Sequence, residues 1–462
     1  MTGTSQPGGR RSFRMRRHVP RLRPPHAISQ QAFSDGLLYF LAYFSLLRAT
    51  GMWLGYPPTQ DENASVDSGP QQLMLYSLIP FTLLYVALNR EAIGEYIRRI
   101  PIGIVAFCLL ILASTLLSVD RTASLRGLSA VLVISVPILL FKNRFGGVKT
   151  LAMLRKFALI AVFANLLYTA ALPRYGIMGG SLAGSVRGLF LHKNFFGQFS
   201  AVAFLLLLPS PALRPYFTWK NLIYAGACFL ALASAALSKS STALVLALVG
   251  LMALGLLRMA STVPGRSIRT YVLLVSLLLF SGLVYFFGLT LAADVAGGFG
   301  KDITLSGRAE LWDALLDALM GRPWFGHGFA MFRQPDYIAN FTHQIAWGPR
   351  STHNTYLEIA LNLGIPAAVL WVWILVTRFV GKAAKVPRDP LERMANARDA
   401  AVMLIIMVGS FTEAGMMLAP LATWPLLLAA MPNGRAAVDG VRARIRRRVA
   451  KPTSPRRSAE YA

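Results

Sequence analysis

The sequence predicts an all-α polytopic membrane protein, about 12 transmembrane helices with a large, partly helical periplasmic loop. Three observations predict it. Of 462 residues, 55% are hydrophobic and 15% charged, with a mean hydropathy of +0.51, more apolar than one soluble core of this size requires. The apolar residues gather in runs long enough to cross about 30 Å of hydrocarbon. Lysine and arginine, finally, concentrate in every second connection, as positive-inside topology requires.

In chain order the runs fall near 34–54, 71–88, 101–118, 125–141, 157–172, 195–210, 221–237, 241–257, 271–292, 356–377, 399–415 and 417–432. The last two are separated so briefly that they also read as one re-entrant hairpin. No internal repeat is visible. The first run follows some thirty mostly polar residues and lacks a small-residue cleavage site, so it reads as a signal anchor. Cys108 and Cys228 each lie inside an apolar run and read as small buried side chains, not as a disulfide or metal pair.

The connections set the orientation. Two basic tails and five alternate loops, "NREAIGEYIRRI" and "RFVGKAAKVPRDPLERMANARD" among them, hold 35 Lys and Arg against 8 Asp and Glu; all the rest holds 12 and 12. The net charge of +27 is therefore topological. It reports the positive-inside rule and attraction to anionic headgroups, and nucleic-acid binding is excluded as its explanation. The expected organisation is a basic cytoplasmic tail (1–33), a transmembrane domain (34–432) that includes a periplasmic loop (293–355), and a second basic cytoplasmic tail (433–462).

A loop of some sixty residues is well beyond an ordinary connection. Within it, "SGRAELWDALLDALMGRPWFGHGF" sets Leu311, Trp312, Leu315, Leu316 and Leu319 on one helical face and Glu310, Asp313 and Asp317 on the other, ending at Gly321 and Pro323. Such a helix lies on the membrane surface or caps the bundle. Among the outer cations, Arg121, Arg174, Lys301, Arg322 and Arg333 read as solvating charges. Arg126, Arg187, Lys193, Lys239, Arg308 and Arg350 sit at or near helix ends, where several converge on one point of the outer face. Guanidinium groups suit phosphate oxygens, so a phosphorylated lipid headgroup is the expected ligand.

Three segments carry a resemblance. His353-Asn354, then nine residues, then Gly364 is similar to the histidine motif of the O-antigen ligase and polysaccharide polymerase family. "RGLFLHKNFFGQ" (187–198) resembles the Gly-x-Phe-x-His-Lys-Asn segment of its exopolysaccharide polymerase branch, and "SGRAELW" its Arg-x-x-x-Trp segment. Two positions depart from the ligases: Ala367 stands where they have Gly, Thr or Tyr, and Ser240-Ser241-Thr242 replaces their Ser-Arg-Thr, with Lys239 adjacent. The second, with "HKN", favours the polymerase branch.

The resemblance implies a bacterial inner-membrane glycosyltransferase. It would transfer a glycan from an isoprenoid pyrophosphate to an acceptor glycan at the periplasmic face, with inversion and without metal or other cofactor. The product is a surface polysaccharide; the alternatives are ligation to the lipopolysaccharide core or a flippase for lipid-linked sugars. Its partners would be the lipid-linked oligosaccharide, the acceptor, membrane lipids and other polysaccharide assembly proteins. His353 would take the acceptor proton; Arg187 and Arg308 would hold the departing pyrophosphate; His192, Lys193, Lys239, Arg126, Asn354 and Arg350 would bind substrate. The plainer alternative for His353 is a helix cap. Thr355 and Glu358 have capping-box spacing, so the next helix is expected to begin after Thr355. His327 and His343 read as interfacial structural residues, and Glu413 as the partner of an arginine.

Overall fold

A computed structural model describes residues 30–57, 69–209, 218–261, 308–345, 348–349 and 351–411, with isolated positions between 265 and 278. The regular elements among these are helices: α1 (Gln30–Thr50), α2 (Gly69–Tyr76), α3 (Leu78–Leu88), α4 (Arg90–Ile97), α5 (Ile102–Leu116), α6 (Arg121–Ala171), α7 (Pro173–Gly176), α8 (Lys193–Leu207), α9 (Trp219–Leu237), α10 (Ser241–Ala260), α11 (Arg308–Gly321), α12 (Pro335–Thr342), α13 (Thr355–Leu363), α14 (Ile365–Ala383) and α15 (Pro390–Gly409). Extended pairing among them is confined to an Ile177–Val186 bridge.

The packing is that of a bundle in lipid. Ser45, Ser114, Ser124, Ser200 and Ser234 are fully buried, while Leu73, Ile102 and Trp219 point outward. In hydrocarbon, outward leucines cost nothing and small inward residues let helices approach. The buried hydroxyls are used in different ways: Ser200 Oγ turns back to the Phe196 carbonyl at 2.7 Å, Ser124 Oγ pairs with Ser118 Oγ at 2.7 Å, and Ser114 Oγ donates across to the Asn362 carbonyl at 2.6 Å. Four helices among the described residues are long and apolar enough to cross a membrane, α6, α9, α10 and α14. A bent pair, Gln72–Leu88 with Arg90–Ile97 at 93°, brings this to five. The expected runs 271–292 and 417–432 lie almost wholly outside the described residues.

Two expected boundaries are corrected. The connection between the 125–141 and 157–172 runs is helical on both sides of a single break: α6 is two helical arms that meet at a kink at Gly146 (φ 76°, ψ 173°), a conformation only glycine adopts without strain. The expected 356–377 span is instead broken at Gly364 (φ 91°) into α13 and α14. There a Cβ would stand 2.1 Å from the Trp324 carbonyl oxygen, and the Ile365 amide donates to the Pro323 carbonyl at 2.7 Å. The glycine that closes the histidine motif is thus where the outer cap is laid against the bundle.

Contacts sort the helix ends into two groups. At one end Asp35 pairs with Arg144 (2.8 Å), Asn89 donates to Ser34, Lys382 pairs with Asp399 (2.8 Å), and Arg398 donates to the carbonyls of Leu206 and Leu208. At the other, the Trp53 amide meets the Leu189 carbonyl, Val119 meets His327, Val186 meets Leu237, and Thr355 meets Ser410. Each group joins ends that the charge alternation assigns to one side; the second group is called outer below. Over the outer end lies a cap with its own small core, including Leu311, Leu315, Phe332, Ile338 and Leu361. Two expected buried positions are corrected: Cys108 is exposed on α5, and Leu316 faces outward, since the buried stripe of α11 follows Leu311, Leu315 and Leu319.

Candidate active site

The site is built on the first turn of α13. Asn354 is the N-cap, its Oδ1 accepting from the amides of Tyr356 (3.0 Å) and Leu357 (3.1 Å). This corrects the capping-box expectation. Thr355 is the first helical residue and buried, and the Glu358 carboxylate turns instead to Arg333 Nε at 2.9 Å. Arg333 is correspondingly no solvating charge, because it neutralises a carboxylate that is 2% exposed.

His353 precedes the cap with a left-handed backbone, φ 47°. For an L-residue this costs about 1 to 2 kcal/mol. Lys239 (φ 49°) and Ala330 (φ 61°) share that conformation, all three at the outer end. What holds His353 there is local. The Thr352 hydroxyl donates to the Asn354 carbonyl (3.1 Å), the Thr355 amide donates to Ser410 beyond α15, and the Trp312 indole donates to the Thr352 carbonyl (3.0 Å).

Trp312 stands one helical turn after Arg308 on α11, so residues four apart share a face. One side chain grips the segment beside His353; the other lies close enough for its charge to act on the ring. The Arg-x-x-x-Trp spacing is therefore a device for setting a guanidinium beside the imidazole. His353 is driven down to about 4, first by burial, then by the Arg308 charge, then by His192. The neutral ring is the form at physiological pH.

His192 arrives from a different segment. It N-caps α8, with Nδ1 accepting from the Asn194 amide at 3.2 Å. Lys193 is buried at the first position of α8 and donates from Nζ to the Lys239 carbonyl (3.2 Å); Lys239 in turn donates to the Ala183 carbonyl (3.4 Å). The 187–194 segment, the Lys239 turn, α11 and the 352–354 segment thus come together at the outer end. Arg126 is exposed on α6, beside Gly127, which packs on Ala330. Arg350 lies outside the described residues, as do Lys301 and Glu413.

Arg187 has another position. It is 1% exposed, and its guanidinium donates to three backbone carbonyls: Nε to Tyr175 (2.8 Å), Nη1 to Leu191 (3.2 Å) and Nη2 to Pro57 (2.6 Å). Burial lowers its basicity. As it stands the group ties the 175–191 loop to the segment after α1, using three of its five N–H donors and leaving the second N–H of Nη1 and of Nη2. Beside it, Gly188 (φ 56°) leaves room for Asn165, whose Oδ1 accepts the Leu189 amide at 2.8 Å.

Sequence reasoning passed over Asn165 and Asn362, both buried polar residues inside apolar stretches. Asn362 Oδ1 accepts the Phe332 amide, and its carbonyl accepts from Ser114 Oγ (2.6 Å) and the Gly328 amide. The signal was available: an amide within an apolar run is expensive and is retained for a bond it makes. His327 is structural, as expected. Its Nε2–H donates to the Ala318 carbonyl (2.9 Å), so Nδ1 accepts from the Tyr337 hydroxyl (2.7 Å), among the rings of Phe332 and Phe341. Among the described residues no three His, Cys, Asp or Glu side chains are grouped as a metal site.

Residues 226–372 match the family model described as O-antigen ligase. The stretch runs from α9 through the cap and α13 into α14, and so contains Arg308, Trp312 and His353. The chain is also 31% identical over 108 residues to the exopolysaccharide production protein ExoQ of Rhizobium meliloti, a match covering 21% of this chain and 24% of that relative. The shared stretch is thus about a quarter of the relative's length. Together with the apolar helices, the matches describe a multi-pass integral membrane protein of the kind its three motifs resemble.

Proposed function

We propose, on the premise of the O-antigen ligase and polysaccharide polymerase family that both matches support, that this chain lengthens a surface polysaccharide by transferring glycan from an isoprenoid pyrophosphate to an acceptor sugar. The observation that carries this reading is the setting of His353: a half-buried imidazole kept neutral, on a left-handed backbone, within the field of Arg308 and His192.

The chemistry follows from those groups. The acceptor hydroxyl oxygen forms a bond to the anomeric carbon from the face opposite the leaving group, and the bond from that carbon to the pyrophosphate oxygen breaks with inversion. The hydroxyl proton passes to the neutral ring of His353. Negative charge grows on the pyrophosphate, and Arg308 meets it with paired donors; Lys239, Arg126 and His192 add positive potential around it. An imidazole near 4 is a weak base in the empty site. A pyrophosphate against Arg308 cancels the charge that depresses the ring, so donor binding raises the basicity of His353 when a base is needed. No metal or cofactor enters this scheme.

The polymerase branch is favoured by "RGLFLHKN", by the printed role of the relative in exopolysaccharide production, and by the absence of arginine from Ser240-Ser241-Thr242. Ligation to the lipopolysaccharide core is the second reading, favoured by the description of the family model over 226–372. In both readings the outer end faces the periplasm of a bacterial inner membrane, with about twelve spans and both tails cytoplasmic.

The test uses purified full-length protein and a lipid pyrophosphate-linked donor. His353→Asn keeps a residue that tolerates the left-handed backbone, and its turnover should fall by roughly 10²-fold or more, with donor affinity kept. Arg308→Lys retains charge and loses the fork, so donor affinity should fall together with rate. Near-normal turnover in His353→Asn removes histidine from the mechanism. Deletion of the gene separates the readings: loss of high-mass polymer with single repeat units still attached indicates a polymerase, intact polymer that never reaches the core a ligase, and cytoplasmic accumulation a flippase.

A further inference from the structure

We infer that the cavity where α1, α6, α8 and α15 meet, which runs from Lys142 at the basic end of the bundle to Thr50 at the far end of α1, holds the phosphate of an anionic phospholipid against the ammonium of Lys142. The cavity has a volume of about 60 Å³. At roughly 10 to 15 Å³ per water position, that is room for about four to six heavy atoms, the size of one phosphate group. Lys142, Arg398 and Asp399 contribute its polar lining, and the remaining wall is mainly apolar, with Leu46, Phe199 and Val202 prominent.

Lys142 is the observation that points to a ligand. It is 3% exposed and lines the cavity; among the described ion pairs none is its own, and the nearby Asp399 carboxylate acts on it only at a distance. Asp399 holds the Lys382 ammonium at 2.8 Å, and Arg398 donates to the carbonyls of Leu206 and Leu208. Two basic side chains, Lys142 and Arg398, thus line the cavity against one carboxylate, Asp399, which is already held by Lys382 from outside the lining. A buried cation without a partner is costly and is kept where an anion completes it.

The shape selects the source of that anion. Leu154 and Phe157, half-buried at the rim, continue the wall toward the outer surface of α6, where lipid chains lie. The break at Gly146 parts the two arms of α6 here, with Lys142 on one arm and Gly147, Thr150 and Leu154 on the other. An amphiphile satisfies cation and wall together; free phosphate satisfies only the cation. Lys142 is at the opposite end of the bundle from His353, and the proposal is independent of the transferase reading.

The full-length protein, purified in detergent and stripped of lipid, is titrated with phosphatidylglycerol, phosphatidylcholine or inorganic phosphate. Bound lipid is counted by native mass spectrometry, and stability is read by thermal unfolding. Wild type should retain phosphatidylglycerol at least tenfold better than phosphatidylcholine and be stabilised by it; inorganic phosphate should do neither. Lys142→Met should lose that preference, while its lipid-free form unfolds no earlier than wild type, since an uncompensated buried charge is gone. Lys149→Met, an exposed lysine on the same helix, should behave as wild type. Ala203→Leu, which keeps the lysine and fills the cavity, gives a second test if Lys142→Met fails to accumulate, and should also lose the bound lipid. Equal retention of both lipids, full retention in Lys142→Met, saturation by inorganic phosphate, or a response to none of the three probes would each overturn the proposal.

Discussion

The depressed basicity of His353 makes a prediction about acid. Its pKa lies at about 4 against an ordinary 6.5, so protonating it in the folded site costs roughly 3 kcal/mol more than protonating a solvated imidazole. The neutral ring is the working base, so activity is lost as pH falls through its folded pKa. In kcat/KM, which reports the free enzyme, the acid limb due to His353 should therefore lie near pH 4. In kcat it should lie higher, because bound pyrophosphate offsets Arg308. Arg308→Met isolates that charge. Burial is the larger cause and Arg308 the second, so removing the guanidinium should raise the free-enzyme limb by up to about one pH unit and no further. The assay is initial rate against pH with saturating acceptor; the His353 ring resonance, assigned by its loss in His353→Asn, gives the titration directly. An imidazole titrating near 6.5 in the wild type, or one unmoved in Arg308→Met, would refute the argument.

Three further outcomes are expected. A reporter active only in the periplasm, fused after Asp336, should be active and the same reporter at the C-terminus silent; the reverse pattern overturns the orientation. Trp312→Phe removes one hydrogen bond to the Thr352 carbonyl, so unfolding should change by only about 1 kcal/mol, while turnover drops about tenfold through misplacement of His353 and Arg308; unchanged turnover would separate the tryptophan from the site. Gly364→Ala forces a side chain into a glycine-only conformation and against the Trp324 carbonyl, which should cost at least about 2 kcal/mol in denaturant unfolding, and a neutral result would show that the cap is not pinned there.

Much of the architecture was legible because it is written in quantities that add along the chain. Apolar run length and the alternation of lysine and arginine depend on composition alone, so helix positions, the grouping of ends and the capping helix could be read without coordinates. The three motifs likewise pointed to the outer end. Boundaries were less legible: Gly146 and Gly364 decide where helices break, and an isolated glycine in an apolar run looks the same whether it bends the chain or not.

What composition could not assign was the task of each cation. Arg187, Arg308 and Arg333 are equivalent as letters near helix ends. Their roles diverge because a guanidinium is defined by its acceptors, and these come from residues far away in sequence. Three carbonyls close around Arg187, the buried carboxylate of Glu358 takes Arg333, and Arg308 is carried to His353 by a helix that Trp312 ties to the neighbouring segment. The sequence by itself determined a helical membrane chain with its charges sorted by side and a histidine at a helix start. Only the tertiary structure decided which charge meets that histidine, since hydrogen bonding and burial act through space, and the partners that set them are brought together only when the bundle and its cap have closed.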